Sequence, residues 1–158
     1  MKGLVYILIS VWFAIGVNLN AQEITKKDLI GRWQLGSPNV SDMYLDNYQF
    51  FNNDTFKFTP NAYDGLRRLI WLAGTYRIKG DSLMLKVEYS VEQYDGYPEK
   101  SHTTTLSGGW EISDGTLIKK TYDNLEDEIF KTKFENDKSI LVLDNRKFYK
   151  IKDDPNDY

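Results

Sequence analysis

The sequence predicts an all-β protein whose strands follow one another as antiparallel hairpins. Three observations support this prediction. Aromatic residues make up 15% of the 158 residues, and most lie in runs where apolar and polar side chains alternate, as on half-buried strands. Turn pairs such as Gly-Asp, Asp-Gly and Asn-Asp separate these runs. The helical pattern is confined to one short segment, and after it the alternation continues to the C-terminus.

The first 21 residues have the three-part pattern of a secretory signal peptide. Lys2 precedes an apolar run from Leu4 to Val17, and Ala21 offers a small residue before Gln22. A membrane-spanning helix needs about 20 apolar residues, and this run is shorter. We therefore expect cleavage near Ala21-Gln22 and export to the periplasm or out of the cell. Residues 22–158 then form one domain with no stable membrane span.

Charge and residue content exclude several functional classes. The chain has 20 basic and 23 acidic residues, a formal net charge of −3, and the two signs are interspersed. Without a basic stripe, nucleic acid is not an expected partner. The chain has no cysteine and only one histidine, His102, so neither a zinc site nor another cofactor is expected. No serine has the surroundings of a nucleophile, and we do not expect an enzyme.

One short helix and ten strand-like runs are predicted along the mature chain. Thr25 can cap the helix, and Asp28 occupies the acidic position of a capping box. The strand-like runs span residues 31–35, 43–52, 55–59, 68–79, 82–92, 102–113, 116–122, 128–135, 139–143 and 147–151. The acidic tail, residues 152–158, is expected to be frayed.

The clearest predicted hairpin turns at Gly80-Asp81. The residues placed opposite each other on one face are Ile78 and Leu83, Tyr76 and Leu85, Gly74 and Val87, Leu72 and Tyr89, and Ile70 and Val91. All of them except Gly74 are apolar or aromatic, whereas the other face is mostly polar. A shift by one residue would turn the apolar set to solvent, so the alternation favours this register.

Three other tight turns and four longer connections predict the ends of a meander. The turns at residues 53–54, 114–115 and 136–138 place Phe51 opposite Phe56, Ile112 opposite Leu117, and Phe134 opposite Ile140. The longer connections span residues 36–42, 60–67, 94–100 and 123–127. Connections alternate between the two ends of an up-and-down meander, so the tight turns should mark one closed end. Closing about eight to ten strands into a barrel would remove the exposed sheet edges.

Two segments resemble secreted bacterial lipocalin-like domains of the calycin type. Leu29-Ile30-Gly31-Arg32-Trp33 has a Gly-x-Trp that opens a strand after a short helix, and the stretch from Leu72 to Leu83 is similar to a recurring hairpin of these domains. The resemblance implies an up-and-down barrel with a small hydrophobic ligand in its cavity and long loops around its mouth. The family's arginine that packs on this Trp has no clear counterpart, although Lys133 or Lys150 would lie near the closed end. A fatty-acid-binding type of barrel also remains open.

The first functional hypothesis is therefore a binding protein that holds a small hydrophobic molecule. The residues expected to line the barrel or its mouth are Tyr63, Ile70, Leu72, Tyr76, Val87, Tyr89, Tyr94, Tyr97 and Trp110. The alternative is a protein-interaction or inhibitor module of the cell envelope, in which a filled barrel presents the loop tyrosines to a protein partner. A third hypothesis is a hydrolase that uses two carboxylates from the long loops.

Overall fold

A computed structural model describes residues 24–37, 45–101 and 109–157. Within them, a helix and eleven strands follow one another in this order: α1 (Lys26–Leu29), β1 (Gly31–Leu35), β2 (Asn47–Phe50), β3 (Thr55–Thr59), β4 (Leu69–Lys79), β5 (Ser82–Tyr94), β6 (Tyr97–Lys100), β7 (Trp110–Ser113), β8 (Thr116–Thr121), β9 (Glu128–Glu135), β10 (Ile140–Leu143) and β11 (Arg146–Lys152). The predicted all-β class with one short helix is confirmed. The predicted signal peptide and His102 lie outside the described residues.

Eight strands close an antiparallel barrel. They are neighbours in the order β4-β3-β2-β1-β11-β10-β9-β5, and pairing between β4 and β5 completes the ring. The chain goes up and down through consecutive neighbours except between β5 and β9, where β6, β7 and β8 intervene. The predicted up-and-down barrel is confirmed. β8 is an additional strand beside β5, and β6 and β7 form a separate two-stranded ribbon.

Helix α1 and the first residues of β1 lie at the closed end of the barrel. Thr25 Oγ1 accepts a hydrogen bond from the Asp28 amide, as the capping box predicts. Trp33 is fully buried, and its Nε1 donates to the Leu29 carbonyl at 2.7 Å. Lys150 Nζ, on the last strand, lies 5.4 Å from the centroid of the Trp33 ring. The tight turns after β2, β4 and β9 lie at this same end.

Several predicted turn details are wrong. Phe56 pairs with Phe50 rather than with Phe51, and Phe134 pairs with Leu141 rather than with Ile140, because each turn contains more residues than predicted. The turn at residues 114–115 is not a hairpin and lies at the open end. The residues that it was predicted to pair have other partners: Ile112 pairs with Pro98 in β6, and Leu117 pairs with Gln93 in β5.

A β-bulge in β5 changes which side chains face the barrel interior. The predicted register holds as far as Gly74 and Val87, after which the pairing shifts by one residue at Glu88. The predicted pairs of Leu72 with Tyr89 and of Ile70 with Val91 are therefore wrong, and Leu72 pairs with Ser90. A Cβ atom on Gly74 would lie 1.9 Å from the backbone oxygen of Lys86. Only glycine lets the two strands approach this closely beside the bulge.

Aromatic rings fill the interior between the bulge and the closed end. The Tyr48 ring lies 4.8 Å from that of Phe58 and 5.3 Å from that of Phe148, and Phe50 and Tyr76 meet edge to face at 5.2 Å. The largest fully buried side chains are Trp33, Phe50, Phe56 and Phe148. Side chains rather than free space therefore occupy this half of the barrel.

The C-terminal tail is bound to the outer side of β1 and β2, although it was expected to be frayed. The carbonyl oxygen of Pro155 accepts hydrogen bonds from Arg32 Nη2 at 3.2 Å and from Gln49 Nε2 at 2.6 Å. Both side chains are buried, as is Pro155. Buried polar groups need such partners, so the tail belongs to the folded domain.

Candidate functional site

Beyond Glu88, strand β5 leaves the barrel wall and becomes the centre of a three-stranded sheet at the open end. Residues 82–85 of β5 pair with β9, whereas residues 89–94 pair with β8 on that same side. β4 pairs with β5 along both parts. We call the sheet formed by residues 69–73, 89–94 and 116–121 the mouth sheet. Its inner face continues the barrel interior, and its outer face continues the barrel exterior.

Four polar side chains form a hydrogen-bonded cluster on the inner face of the mouth sheet. Ser90 Oγ lies 2.8 Å from Glu92 Oε1 and 2.9 Å from the Tyr122 hydroxyl. Tyr122 also donates to Glu92 Oε1 at 3.2 Å, and Lys120 forms an ion pair with Glu92 Oε2. The hydrogen bonds from Lys120 and then Ser90 lower the pKa of Glu92. The carboxylate is therefore ionised at neutral pH and bonded to its neighbours.

Apolar side chains adjoin this polar cluster. Leu72 pairs with Ser90 across β4 and β5, and Phe58 pairs with Leu72 across β3 and β4. Both are partly buried against the core, as are Tyr122 and Phe130. Such a polar spot beside apolar walls suits a molecule with one polar end and one apolar end.

The outer face of the mouth sheet carries two aromatic rings flanked by lysines. Trp71 and Tyr89 meet edge to face, with 5.3 Å between the ring centroids. Lys57 Nζ lies 4.9 Å from the Trp71 ring, and Lys119 Nζ lies 3.8 Å from the Tyr89 ring. The bulge therefore places Tyr89 on the opposite face from Leu72 and Val87, contrary to the predicted interior position.

The other residues predicted to line the barrel lie at different depths. Tyr76 and Val87 are buried in the core. The Tyr76 hydroxyl donates to the Phe51 carbonyl at 3.0 Å near the closed end, and burial raises its pKa to about 12. Ile70 is half-buried beside the second irregularity between β4 and β5. Of the predicted interior residues, Leu72 is the one that adjoins the polar cluster.

The remaining predicted site residues, three tyrosines of the long connections and Trp110 of a predicted strand, lie at the open end. Tyr94, Tyr97 and Trp110 are 50%, 52% and 47% exposed. The Tyr97 hydroxyl donates to Asp114 Oδ2 at 3.1 Å, which raises the pKa of Tyr97. Tyr63 is half-buried in the connection between β3 and β4, and its amide donates to Asn61 Oδ1 at 2.8 Å. Tyr63 is thus less available to a partner than the other three.

Other exposed apolar residues of this end were not predicted. We call the following set the open-end surface: Leu66, Tyr94, Tyr97, Trp110, Leu117 and Ile118. The sequence signal for Leu117 and Ile118 was ambiguous, because an apolar residue in an alternating run usually faces a core. Their exposure follows from the missing hairpin between β7 and β8.

Hydrogen bonds fix the β6–β7 ribbon to the rest of the open end. The Ile112 amide donates to the Gly65 carbonyl at 3.0 Å, and its carbonyl accepts from Gln93 Nε2 at 3.2 Å. Arg68 Nη1 donates to the Asp95 carbonyl at 2.6 Å. The ribbon is therefore attached both to the connection before β4 and to β5, which positions the exposed rings on a defined surface.

Two of the grooves that the described residues form near the closed end, away from the mouth, adjoin Ile24. The larger, of about 1000 Å³, follows β9 and β10 and is lined by Ile24, Gly80, Asp81, Lys131, Thr132, Lys133, Phe134, Val142, Asp144 and Asn145. The smaller, of about 530 Å³, includes Ile24, Lys26, Asp54 and Tyr76. Of the nine predicted site residues, only Tyr76 borders either groove.

Three of the loop carboxylates of the hydrolase hypothesis are held by neighbours of their own. Asp127 forms an ion pair with Arg77 at 2.5 Å, Glu99 accepts a hydrogen bond from Ser113, and Asp64 accepts one from the Leu66 amide at 3.1 Å. Among the described residues, no three His, Asp or Glu side chains come together as metal ligands. None of the helical residues described makes a segment long and apolar enough to cross a bilayer.

The geometry thus presents two separate candidate sites at the open end of the barrel. One is the polar cluster beside Leu72 on the inner face of the mouth sheet, and the other is the open-end surface with its exposed rings. Comparisons with protein-family models, curated proteins and solved structures find no match for this chain.

Proposed function

We propose that this protein is an exported protein-binding module that contacts its partner through the open-end surface. One observation carries the proposal: exposed aromatic side chains gather at the open end of a barrel whose other half is filled by buried rings. Tyrosine and tryptophan are the residues that most often dominate the energy of protein interfaces. Export is proposed from the signal-peptide pattern of residues 1–21.

The attachment of the ribbon favours binding through this surface. Ordering a mobile loop on association costs free energy, and a surface already held by hydrogen bonds avoids part of that cost. Here Gly65, Gln93 and Arg68 each bond the backbone of the ribbon or of the turn before it. Tyr97 is held further by Asp114. The exposed rings are therefore arranged before any partner arrives.

The test is cross-linking and affinity capture in the native host with the double variant Tyr97→Ser/Trp110→Ser. We expect recovery of at least one partner to fall about tenfold or more, because truncating an aromatic hot-spot residue of an interface costs about 2 kcal/mol or more. The matched control is Ile129→Ser, which removes another exposed apolar side chain outside the open-end surface. An unchanged partner list, with both variants folded, would contradict the proposal.

A second candidate is the binding of a small amphipathic molecule at the mouth. The polar cluster of Ser90, Glu92, Lys120 and Tyr122 favours it, because these groups adjoin the half-buried Leu72. The polar end of the molecule would meet the cluster, and its apolar part would cover the mouth. Since rings fill the barrel below the bulge, such a ligand would bind near the rim.

This candidate is tested by native and denaturing mass spectrometry of protein purified gently from its host. We expect the native protein to carry an additional mass that is lost on denaturation. The Leu72→Lys variant should lack this additional mass. Tyr89→Lys is the matched control, because Tyr89 lies on the outer face of the same sheet. A ligand that survives Leu72→Lys, or that Tyr89→Lys removes equally well, would exclude the mouth as its site.

A further inference from the structure

Within the part of the chain that the structure describes, strand β8 has a free backbone edge. It is the last strand in the order of its sheet, and in the described part of the chain it pairs only with β5. The Tyr122 amide donates to the Glu88 carbonyl at 2.8 Å. In an antiparallel ladder this bond makes Thr121 and Tyr89 a pair without direct hydrogen bonds between them. By alternation, the backbone groups of Leu117, Lys119 and Thr121 point away from β5.

The side chains of this edge are also accessible. Leu117 is 61% exposed and Ile118 is 38% exposed, and Thr116, Lys119 and Thr121 are exposed as well. Natural proteins usually cover or shorten an edge that presents unpaired amides and carbonyls, since such an edge pairs readily with another strand. A six-residue edge with two exposed aliphatic side chains is therefore suited to receiving a strand.

We propose that the free edge of β8 binds an extended acidic segment of a partner protein as an additional β-strand. This inference rests on the proposed protein-binding role and names the kind of partner. The backbone edge requires an extended chain, because only that geometry pairs with Leu117, Lys119 and Thr121 together. β8 contains Lys119 and Lys120 and no acidic residue, so an acid opposite Lys119 is favoured.

The same charges disfavour a second copy of this chain as the occupant. Two β8 edges placed side by side would bring four lysines together, with no acidic residue on either strand. Lys120 is already paired with Glu92, whereas Lys119 contacts a neutral ring and retains donors for a carboxylate. Apolar side chains of the segment would lie on the other face of the added strand, opposite Ile118.

The first measurement is amide hydrogen exchange on protein produced from the full-length gene. The probe is a terminally blocked peptide of sequence Val-Glu-Val-Glu-Val-Glu-Val, and the control peptide has lysine at each glutamate position. With the glutamate peptide we expect protection of the Leu117, Lys119 and Thr121 amides. The Ile118 and Lys120 amides should change little, because they already bond to β5. Equal protection by both peptides, or none by either, would overturn the proposal.

The second measurement compares Lys119→Pro with Lys119→Ala by fluorescence anisotropy of the labelled glutamate peptide. Both variants lose the charge, but only proline also removes an outward amide. We expect the proline variant to bind about tenfold more weakly than the alanine variant, as the loss of one hydrogen bond implies. Circular dichroism checks that both variants fold. Equal affinities would contradict strand addition.

Two further outcomes keep this inference separate from the proposed function. Protection of the outward β8 amides without any peptide, together with a dimer in sedimentation, would identify a second copy as the occupant and overturn the acidic segment. Selective protection by the glutamate peptide would support strand addition even if Tyr97→Ser/Trp110→Ser left every captured partner unchanged. In that case the β8 edge would bind the partner, and the exposed rings of the open end would have no part in binding.

Discussion

Trp33 connects the two ends of the chain at the closed end of the barrel. It lies on the first strand, its indole donates to the helix carbonyl of Leu29, and Lys150 of the last strand lies over its ring. Phe134 packs against the ring at 5.6 Å. One side chain thus contacts α1, β9 and β11, so its removal should affect the whole barrel.

We predict that Trp33→Phe lowers the free energy of unfolding by about 1–3 kcal/mol, because the buried Leu29 carbonyl loses its donor. Urea denaturation followed by circular dichroism measures this change. Lys150→Met is the control, since it keeps an apolar chain near the ring. It removes the cation, whose contact with the ring is worth about 0.5–1 kcal/mol where it is partly exposed, together with an ion pair to the exposed Asp153. Equal effects of the two substitutions would show that the indole hydrogen bond contributes little.

Gly74 is required for the close approach of β4 to β5 beside the bulge. We predict that Gly74→Ala destabilises the fold by about 2 kcal/mol or more, because the new Cβ would meet the backbone of Lys86 and Glu88. Gly80→Ala is the matched control: its Cβ meets no atom within 4 Å, and only the positive φ of 60° is unfavourable, at about 1–2 kcal/mol. Thermal unfolding of both variants distinguishes a steric effect from a backbone preference. A smaller effect at Gly74 would mean that the strands separate easily.

At the scale of elements, alternation predicted the up-and-down barrel and most strand positions, and the capping pattern of Thr25 and Asp28 predicted the helix. Alternation also gave the correct register from Ile78–Leu83 to Gly74–Val87. It failed at Glu88, because a bulge depends on a local backbone approach that apolar periodicity does not record. For this reason, alternation did not predict that Ser90 and Glu92 belong to a cluster on the inner face. The pairing of β8 with β5 was missed because residues distant in sequence supply the partner strand.

The C-terminal tail is a second element whose contacts could not be predicted from the sequence, because its polar composition is typical of a solvated end. We predict that truncation after Lys152 lowers the free energy of unfolding by about 1–3 kcal/mol, since Arg32 and Gln49 lose the Pro155 carbonyl as an acceptor. Chemical denaturation measures the loss. Pro155→Ala is the control, because it retains the carbonyl, and it should lose much less. Equal stability of the truncated and complete proteins would show that the tail is dispensable.

At the scale of the whole molecule, acid should weaken the barrel. Lys133 and Lys147 both form ion pairs with Glu135, at 2.8 and 2.6 Å. Because Glu135 lies on β9 and Lys147 on β11, the second ion pair joins these strands across β10. Their hydrogen bonds, first from Lys133 and then from Lys147, lower the pKa of Glu135 to about 2. The stabilisation is therefore complete above the ordinary carboxyl pKa and is lost as pH falls through the folded value.

We predict that the melting temperature falls between about pH 4.5 and pH 2, and that Glu135→Gln reduces part of this dependence. The difference in melting temperature between the wild-type protein and the variant should shrink as pH falls through this range. Glu126→Gln is a suitable control, because Glu126 is an exposed acid in the connection before β9. A difference in melting temperature between the wild-type protein and Glu135→Gln that stays the same at all pH values would contradict the assigned ion pairs.

The pairing of β1 with β11 has a consequence for how the chain reaches its native state. Trp33 pairs with Lys150, so the ring of strands cannot close until β11 has left the ribosome. Contacts between such distant residues make folding slow, since a long loop must be ordered before they form. A growing chain of this topology lacks a closed barrel until β11 has been made. It is therefore suited to the proposed export, in which it would travel as an extended polymer and acquire its barrel only on arrival.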